Sequence, residues 1–211
     1  MKYKHIIFDV DGTLLDSEYA VLHSLQEVVA SLQHKTRDTA ELTFALGIPG
    51  EVTLAKLGIQ DTEAANKLWN NYFTKYGHTI KLFEGIRELL PQLKAEGYEL
   101  GIITSKNPEE FKNDFDPHGI TPYFSTIVCV TDAPRPNPFA DPIWTYLNKT
   151  HAQPDEAIYI GDTMYDSQCA YNAGIDFALA VWGNGSKEEI KAKYTFHSPL
   201  EVWQTFKSDN A

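Results

Sequence analysis

His5-Ile6-Ile7-Phe8 followed by Asp9-Val10-Asp11-Gly12-Thr13 sets an apolar run against two carboxylates at its exit. Residues two apart on an extended chain share a side, so Asp9 and Asp11 face the same way, at the strand end where an open α/β sheet places its chemistry. A carboxylate ending a buried strand loses its hydration unless something pairs with it, so two of them call for a cation or a shared proton. The cation expected is Mg²⁺.

Working outward, the pattern turns helical. Val21, Leu22, Leu25, Val28, Val29 and Leu32 recur at three- and four-residue steps, with Asp16 or Ser17 as the N-cap, which predicts a long helix directly after the strand. Shorter helical pieces follow to residue 79, broken at Gly47-Ile48-Pro49-Gly50 and Leu57-Gly58-Ile59, and the last carries Leu68, Trp69, Tyr72, Phe73 and Tyr76. Residues 17–81 therefore read as an inserted helical cap domain, and residues 1–16 with 82–211 as the α/β core. In that core a helix is predicted over Glu84–Glu96, closed by Gly97. Strands are expected at Glu99–Ile103, Thr126–Val130, Ala157–Ile160 and Phe177–Val181, with helices at 108–115, 139–149 and 163–173. This alternation predicts a doubly wound parallel sheet with crossover helices. The final Ser208-Asp209-Asn210-Ala211 is expected to fray.

Composition narrows the partners. The chain has 211 residues, 43% of them hydrophobic, and a formal charge of −11. That charge repels a nucleic-acid backbone and an anionic membrane surface, while a small anion is admissible where cations are focused locally. No signal segment stands at the start and no apolar run approaches the ~20 residues of a membrane span, so a cytoplasmic location is expected. Monomer and homodimer are equally open. Cys129 and Cys169 read as small buried hydrophobes, not a disulfide framework, and the seven histidines show no zinc-binding spacing.

The polar groups predicted at the strand tips are Asp9 and Asp11, then Thr104-Ser105, the Arg135-Pro136-Asn137-Pro138 loop, and Gly161-Asp162 with Asp166. Such a set suits a phosphate ester. Hydrolysis of phosphate monoesters is so slow in water that enzymes accelerate it by up to ~10²¹, so a site must neutralise charge and supply a nucleophile. On that reading Asp9 attacks phosphorus, and Asp11 protonates the leaving oxygen and later deprotonates water. Asp9, the Asp11 carbonyl and Asp162 hold Mg²⁺, with Asp166 fixing a coordinated water. Thr104, the Ser105 N–H and Arg135 hold the phosphoryl oxygens.

Taken together the motifs resemble the haloacid dehalogenase superfamily, in its phosphatase branch with a helical cap inserted after the first strand. Asp9-Val10-Asp11-Gly12-Thr13-Leu14-Leu15-Asp16-Ser17 is similar to the first motif and Gly101-Ile102-Ile103-Thr104-Ser105-Lys106 to the second. Gly161-Asp162-Thr163-Met164-Tyr165-Asp166, running on to Ala173-Gly174, is similar to the fourth, and Phe83-Glu84-Gly85 resembles the return from cap to core. The third motif departs from the pattern, with Arg135 where the family offers a lysine before Pro-x-Pro. Arg135 keeps the charge on a wider fork, which either bridges Asp9 and the phosphate or swings out. Lys106 is a possible stand-in, although its place after Ser105 suits the start of a helix.

The resemblance implies an Mg²⁺-dependent phosphatase for a small phosphorylated metabolite, similar to phosphoglycolate phosphatases. Pyrophosphatase and nucleotide phosphatase are the alternatives on the same scaffold. Keeping an acid at Asp11 sets the chain apart from dehalogenases and phosphonate hydrolases. Sugar-phosphate mutases tend to carry a histidine where this chain has Val21, and His23 points elsewhere on a helix. A phospho-accepting or inactive binding module is the non-enzymatic alternative, but it needs neither Asp11 nor a helical lid. Gly47, Ile48 and Pro49 fall where capped relatives place a specificity loop, and Trp182, in Trp182-Gly183-Asn184-Gly185, is expected to flank the site. Trp69, Tyr72, Phe73 and Tyr76 have the spacing of an ordinary core face. Residues 17–81 carry six Lys or Arg against seven Asp or Glu, so −10 of the net −11 belongs to the rest, which suits a near-neutral lid over an acidic site.

Overall fold

The run before Asp9 forms strand β1 (His5–Phe8), buried at every residue, because parallel strands flanked on both faces lie between two apolar layers. The computed structural model describes residues 2–183 and 190–207, so Asn184, Gly185 and the tail Ser208–Ala211 lie outside the described residues. After β1 come β2 (Leu15–Asp16), α1 (Glu18–Gln33), α2 (Gly50–Lys56), α3 (Thr62–Tyr76), β3 (Lys81–Leu82) and α4 (Ile86–Ala95). The chain continues through β4 (Glu99–Ile103), α5 (Pro108–Asp114), β5 (Thr126–Val128), α6 (Asp141–Thr150), β6 (Ala157–Gly161) and α7 (Met164–Ala173). It closes with β7 (Asp176–Ala180), β8 (Tyr194–Phe196) and α8 (Pro199–Phe206).

Six strands form one sheet in the order β5-β4-β1-β6-β7-β8, and every pairing in it is parallel. Phe8 is level with Ile102 on one side and Ile160 on the other, so β1, β4 and β6 end side by side. The chain runs outward from β1 through β4 to β5 and then returns to place β6 on the opposite flank of β1. That reversal makes the crevice beside β1 the topological switch point, where ligands bind in open α/β sheets.

Alternate strand residues feed two apolar layers. Ile7, Ile103, Tyr159 and Phe177 pack under α6 and α7 with Ile143, Tyr146 and Ala170. Ile6, Phe8, Leu100, Ile102 and Ile160 face the other way, against Leu89, Leu93, Phe111, Val202 and Phe206, in a cluster that runs on into Leu25, Leu54, Trp69 and Phe73. Helices α1 and α3 meet along a seam where the Trp69 Nε1–H donates to Ser24 Oγ at 2.8 Å, which satisfies the one polar atom the indole buries.

Several boundaries differ from the sequence reading, each for a local reason. β5 stops at Val128, because Val130–Asp132 tightens into a 3₁₀ turn whose Asp132 carboxylate accepts from the Cys129 N–H. The chain leaves for the helical segment and returns from it through an antiparallel pair, Leu15 opposite Leu82 and Asp16 opposite Lys81, too short to show as a period in the sequence. β8 and α8 are additions to the expected elements. Cys129 and Cys169 are buried free thiols. Among the described residues no helix is long and apolar enough to cross a membrane.

Candidate active site

β1 and β6 deliver the first two carboxylates. Asp9 follows Phe8 directly, its N–H donating to the Ile160 carbonyl at 2.9 Å, so it continues the ladder for one residue beyond β1. Asp162 follows Gly161, the last residue of β6. Asp166 enters from the first turn of α7, and oxygens of Asp9, Asp162 and Asp166 lie within 4.8 Å of one another. Burial, and then the neighbouring charges of Asp166, Asp162 and Asp11, push the Asp9 carboxyl well above the ordinary carboxylate range. Burial and Asp166 do the same to Asp162. Clustered hard oxygens that repel one another are a donor set that fits a small divalent cation.

Asp166 is the most heavily tied of the three. Its Oδ1 accepts from Asn137 Nδ2 at 2.8 Å and Tyr159 OH at 3.0 Å, and its Oδ2 from Thr163 N at 3.1 Å and Thr163 Oγ1 at 2.6 Å. Thr163 and Asp166 form a capping box, so one side chain starts α7 and joins the acidic cluster. With its lone pairs so occupied, it suits an outer position at a cation better than a direct one.

Asp11 stands on the cavity side of this cluster. Ser17 Oγ donates to its Oδ1 at 2.6 Å, and Lys106 Nζ lies 3.2 Å from its Oδ2. Ser17 occupies the N-cap position of α1 without a capping bond, because its hydroxyl is turned to Asp11. Directly after Asp11 the loop turns at Gly12, with φ +89°, where a Cβ would fall 2.1 Å from Asp162 Oδ2. Only glycine allows both the left-handed turn and that approach. The indole of Trp182 donates to the Thr13 carbonyl at 2.9 Å, so Trp182 braces this loop and does not line the cavity.

Thr104 is buried at the tip of β4, its hydroxyl accepting from the Lys106 N–H at 3.2 Å, and Ser105 lines the cavity beside it. Lys106 is the residue whose part sequence reasoning undervalued. Its ammonium is buried, 3.0 Å from Asp114 as well as 3.2 Å from Asp11, and 5.1 Å from the centre of the Phe73 ring of α3. Burial by itself would lower its pKa, but the carboxylates of Asp11 and Asp114 outweigh that and hold it above its ordinary value. Asp114, the last residue of α5, is the partner that holds it, and nothing in the local sequence marks the two as a pair.

Arg135, expected at the phosphate, is not brought to the cavity. Its guanidinium clasps Asp141 in a two-pronged pair, Nε–Oδ1 3.1 Å and Nη2–Oδ2 2.9 Å, and lies over the Phe139 ring with 55% of its side chain exposed. A carboxylate six residues on matches the planar fork, so the side chain swings out. From the same loop it is Asn137 that points inward, to Asp166.

Core and helical segment together line a cavity of about 100 Å³ that opens to solvent on one side. Gly47 and Ile48 line it, as expected for a specificity loop, while Pro49 is buried behind them as the cap residue of α2. Gly47 sits so close to Thr163 that a Cβ would fall 2.6 Å from its Cγ2. Val21 lines the cavity, and His23 stacks on Tyr19 away from it, ring centres 3.7 Å apart. Trp69 and Phe73 are both core and wall, whereas Tyr72 and Tyr76 only pack against the core.

Known proteins resemble this chain in sequence and fold. A Bacillus velezensis protein named pyrophosphatase PpaX is 30% identical over 182 residues, covering 84% of this chain and 82% of its own. A crystal structure from Lactobacillus plantarum, described as a "putative phosphoglycolate phosphatase", superimposes with a TM-score of 0.88 at 28% identity, covering 98% of this chain and all of the other. A haloacid dehalogenase-like family hydrolase of Streptococcus pneumoniae matches with a TM-score of 0.85 at 28% identity over 98% of this chain and 99% of its own. The family model of haloacid dehalogenase-like hydrolases matches residues 6–180, and the chain belongs to that family.

Proposed function

We propose that this hydrolase is an Mg²⁺-dependent phosphatase that cleaves a small phosphomonoester of about the size of phosphoglycolate through an aspartyl-phosphate on Asp9. One observation carries the reading: three clustered carboxylates, Asp9 and Asp166 buried and Asp162 half-buried, adjoin a fourth, Asp11, which Ser17 and Lys106 hold at the wall of a cavity. Asp9, the Asp11 carbonyl and Asp162 would hold Mg²⁺, with Asp166 behind them. The ion would neutralise phosphoryl charge and so let two anions approach.

The protein's own groups account for the bonds. An Asp9 oxygen attacks phosphorus as the bond to the leaving oxygen breaks, and that oxygen takes a proton from Asp11. Water then yields a proton to Asp11 and attacks phosphorus, the bond to Asp9 breaks, and phosphate departs. Ser105, which lines the cavity, and Thr104 beside it at the tip of β4 would supply donors to the phosphoryl oxygens. Residues 17–81 act as the cap domain over the core formed by 1–16 and 82–211, excluding bulk water from the intermediate. A cytoplasmic location fits this role.

Phosphate release from a panel of small esters, with Mg²⁺ and with EDTA, tests the assignment. Release should require the metal, and Asp9→Asn should lower kcat by at least ~10³ while the far-ultraviolet circular dichroism stays that of the wild type. Undiminished turnover in that variant would remove Asp9 as the nucleophile.

A further inference from the structure

We infer that the substrate's leaving group carries no negative charge of its own: the cavity is built for the phosphate ester of a small neutral or cationic alcohol, a polyol or an amino alcohol. The inference rests on the phosphatase reading and narrows it. It sets this chain apart from the pyrophosphate and phosphoglycolate in the names of its relatives.

The charges lining the cavity are the first ground. Asp11, Glu18, Glu110, Asp114 and Asp162 contribute carboxylates, and among the described lining residues Lys106 is the single cation. Lys106 is already committed to Asp11 and Asp114, at 3.2 and 3.0 Å. A cation at the Asp9 cluster would be matched by the transferring phosphoryl group. A second phosphate or a carboxylate on the leaving side would thus meet Glu110, and Asp114 beside an already engaged Lys106, with no uncommitted cation among the described lining residues to offset the repulsion of like charges.

Hydrogen-bond direction is the second ground and is independent of the count. Glu110 Oε1 accepts from Asn66 Nδ2 at 3.2 Å and Asn70 Nδ2 at 3.0 Å, while Oε2 accepts the Asn107 N–H at 2.9 Å. A carboxylate only accepts, so each amide turns one of its two N–H donors toward it and keeps the other. What Glu110, Asn66 and Asn70 still present to a ligand is a mixed wall, the acceptor oxygens together with one N–H on each amide. Hydroxyl groups, which donate as well as accept, or an ammonium match that wall, whereas carboxylate or phosphate oxygens would leave its acceptors unpaired. Val21, Ile48, Trp69 and Phe73 supply an apolar side for the leaving group's carbon chain.

The test compares kcat/KM of the full-length enzyme with Mg²⁺ on glycerol 2-phosphate, phosphoethanolamine, phosphoglycolate and pyrophosphate. At least one of the first two should exceed both of the last two by tenfold or more. In Glu110→Gln the ratio of phosphoglycolate to phosphoethanolamine efficiency should rise at least fivefold. Calorimetric binding of the uncleaved esters to Asp9→Asn gives a readout that does not depend on turnover, and glycerol 2-phosphate should bind at least tenfold more tightly than phosphoglycolate. If phosphoglycolate or pyrophosphate is cleaved and bound as well as the esters of neutral or cationic alcohols, the leaving-group inference is overturned and the phosphatase assignment stands. If no ester is cleaved with Mg²⁺, the phosphatase reading itself falls and takes the inference with it.

Discussion

Two cations separate by environment at the scale of single residues. Lys106 is buried between Asp11 and Asp114, while Arg135 holds Asp141 at the surface. Removing one member of a buried ionic set leaves its partners charged and unpaired, which costs about 3–5 kcal/mol, whereas exposed pairs contribute little. Lys106→Met should therefore lower the unfolding free energy measured in urea by an amount in that range and, by releasing Asp11, reduce kcat at least tenfold. Arg135→Ala should leave kcat/KM within twofold. A tenfold loss in the second variant would place the guanidinium at the phosphate after all.

The tight loop between β1 and β2 decides the geometry at the scale of elements. It carries Asp9 and Asp11, turns at Gly12 and is braced by Trp182 from beyond β7. Gly12→Ala would force a Cβ into a left-handed turn, 2.1 Å from an Asp162 oxygen. That should weaken Mg²⁺ binding at least tenfold by calorimetry, with kcat falling in parallel, and wild-type affinity would show that loop and β6 do not need this closeness. The paired β2 and β3 matter for the same reason. They tie the exit and return of the helical segment together within a few residues of Asp11, so helix positions and acid positions are set by one joint.

The acidic cluster couples the whole molecule to pH and metal. Burial and mutual repulsion hold the Asp9 and Asp162 carboxyls above the ordinary value of about 4. Without metal the folded protein therefore keeps protons that the unfolded chain has lost, and stability falls as pH rises from about 4 through the raised folded values. A bound divalent cation offsets that repulsion and competes with the protons. The rise in Tm on adding Mg²⁺ should then be larger at pH 7.5 than at pH 5. An equal rise at both would mean that the ion binds away from these carboxylates.

The sequence by itself determined the alternation of strands and helices and the carboxylates at the ends of β1 and β6. Strand burial and helix periodicity are local consequences of where apolar residues fall, and an Asp after a buried strand has one exit. The Gly47-Ile48-Pro49-Gly50 turn was readable as a break between helical pieces, while its candidacy as a specificity loop came from the resemblance to capped relatives. The partners of side chains distant along the chain were decided only by tertiary structure. Whether Arg135 reaches the site depended on Asp141, the role of Lys106 depended on Asp114 and Phe73, and the wall facing the leaving group depended on α3 lying against Glu110. Periodicity tells which face of an element is buried; it does not tell which charge will stand opposite another when two faces meet, and that pairing sets the chemistry of the site.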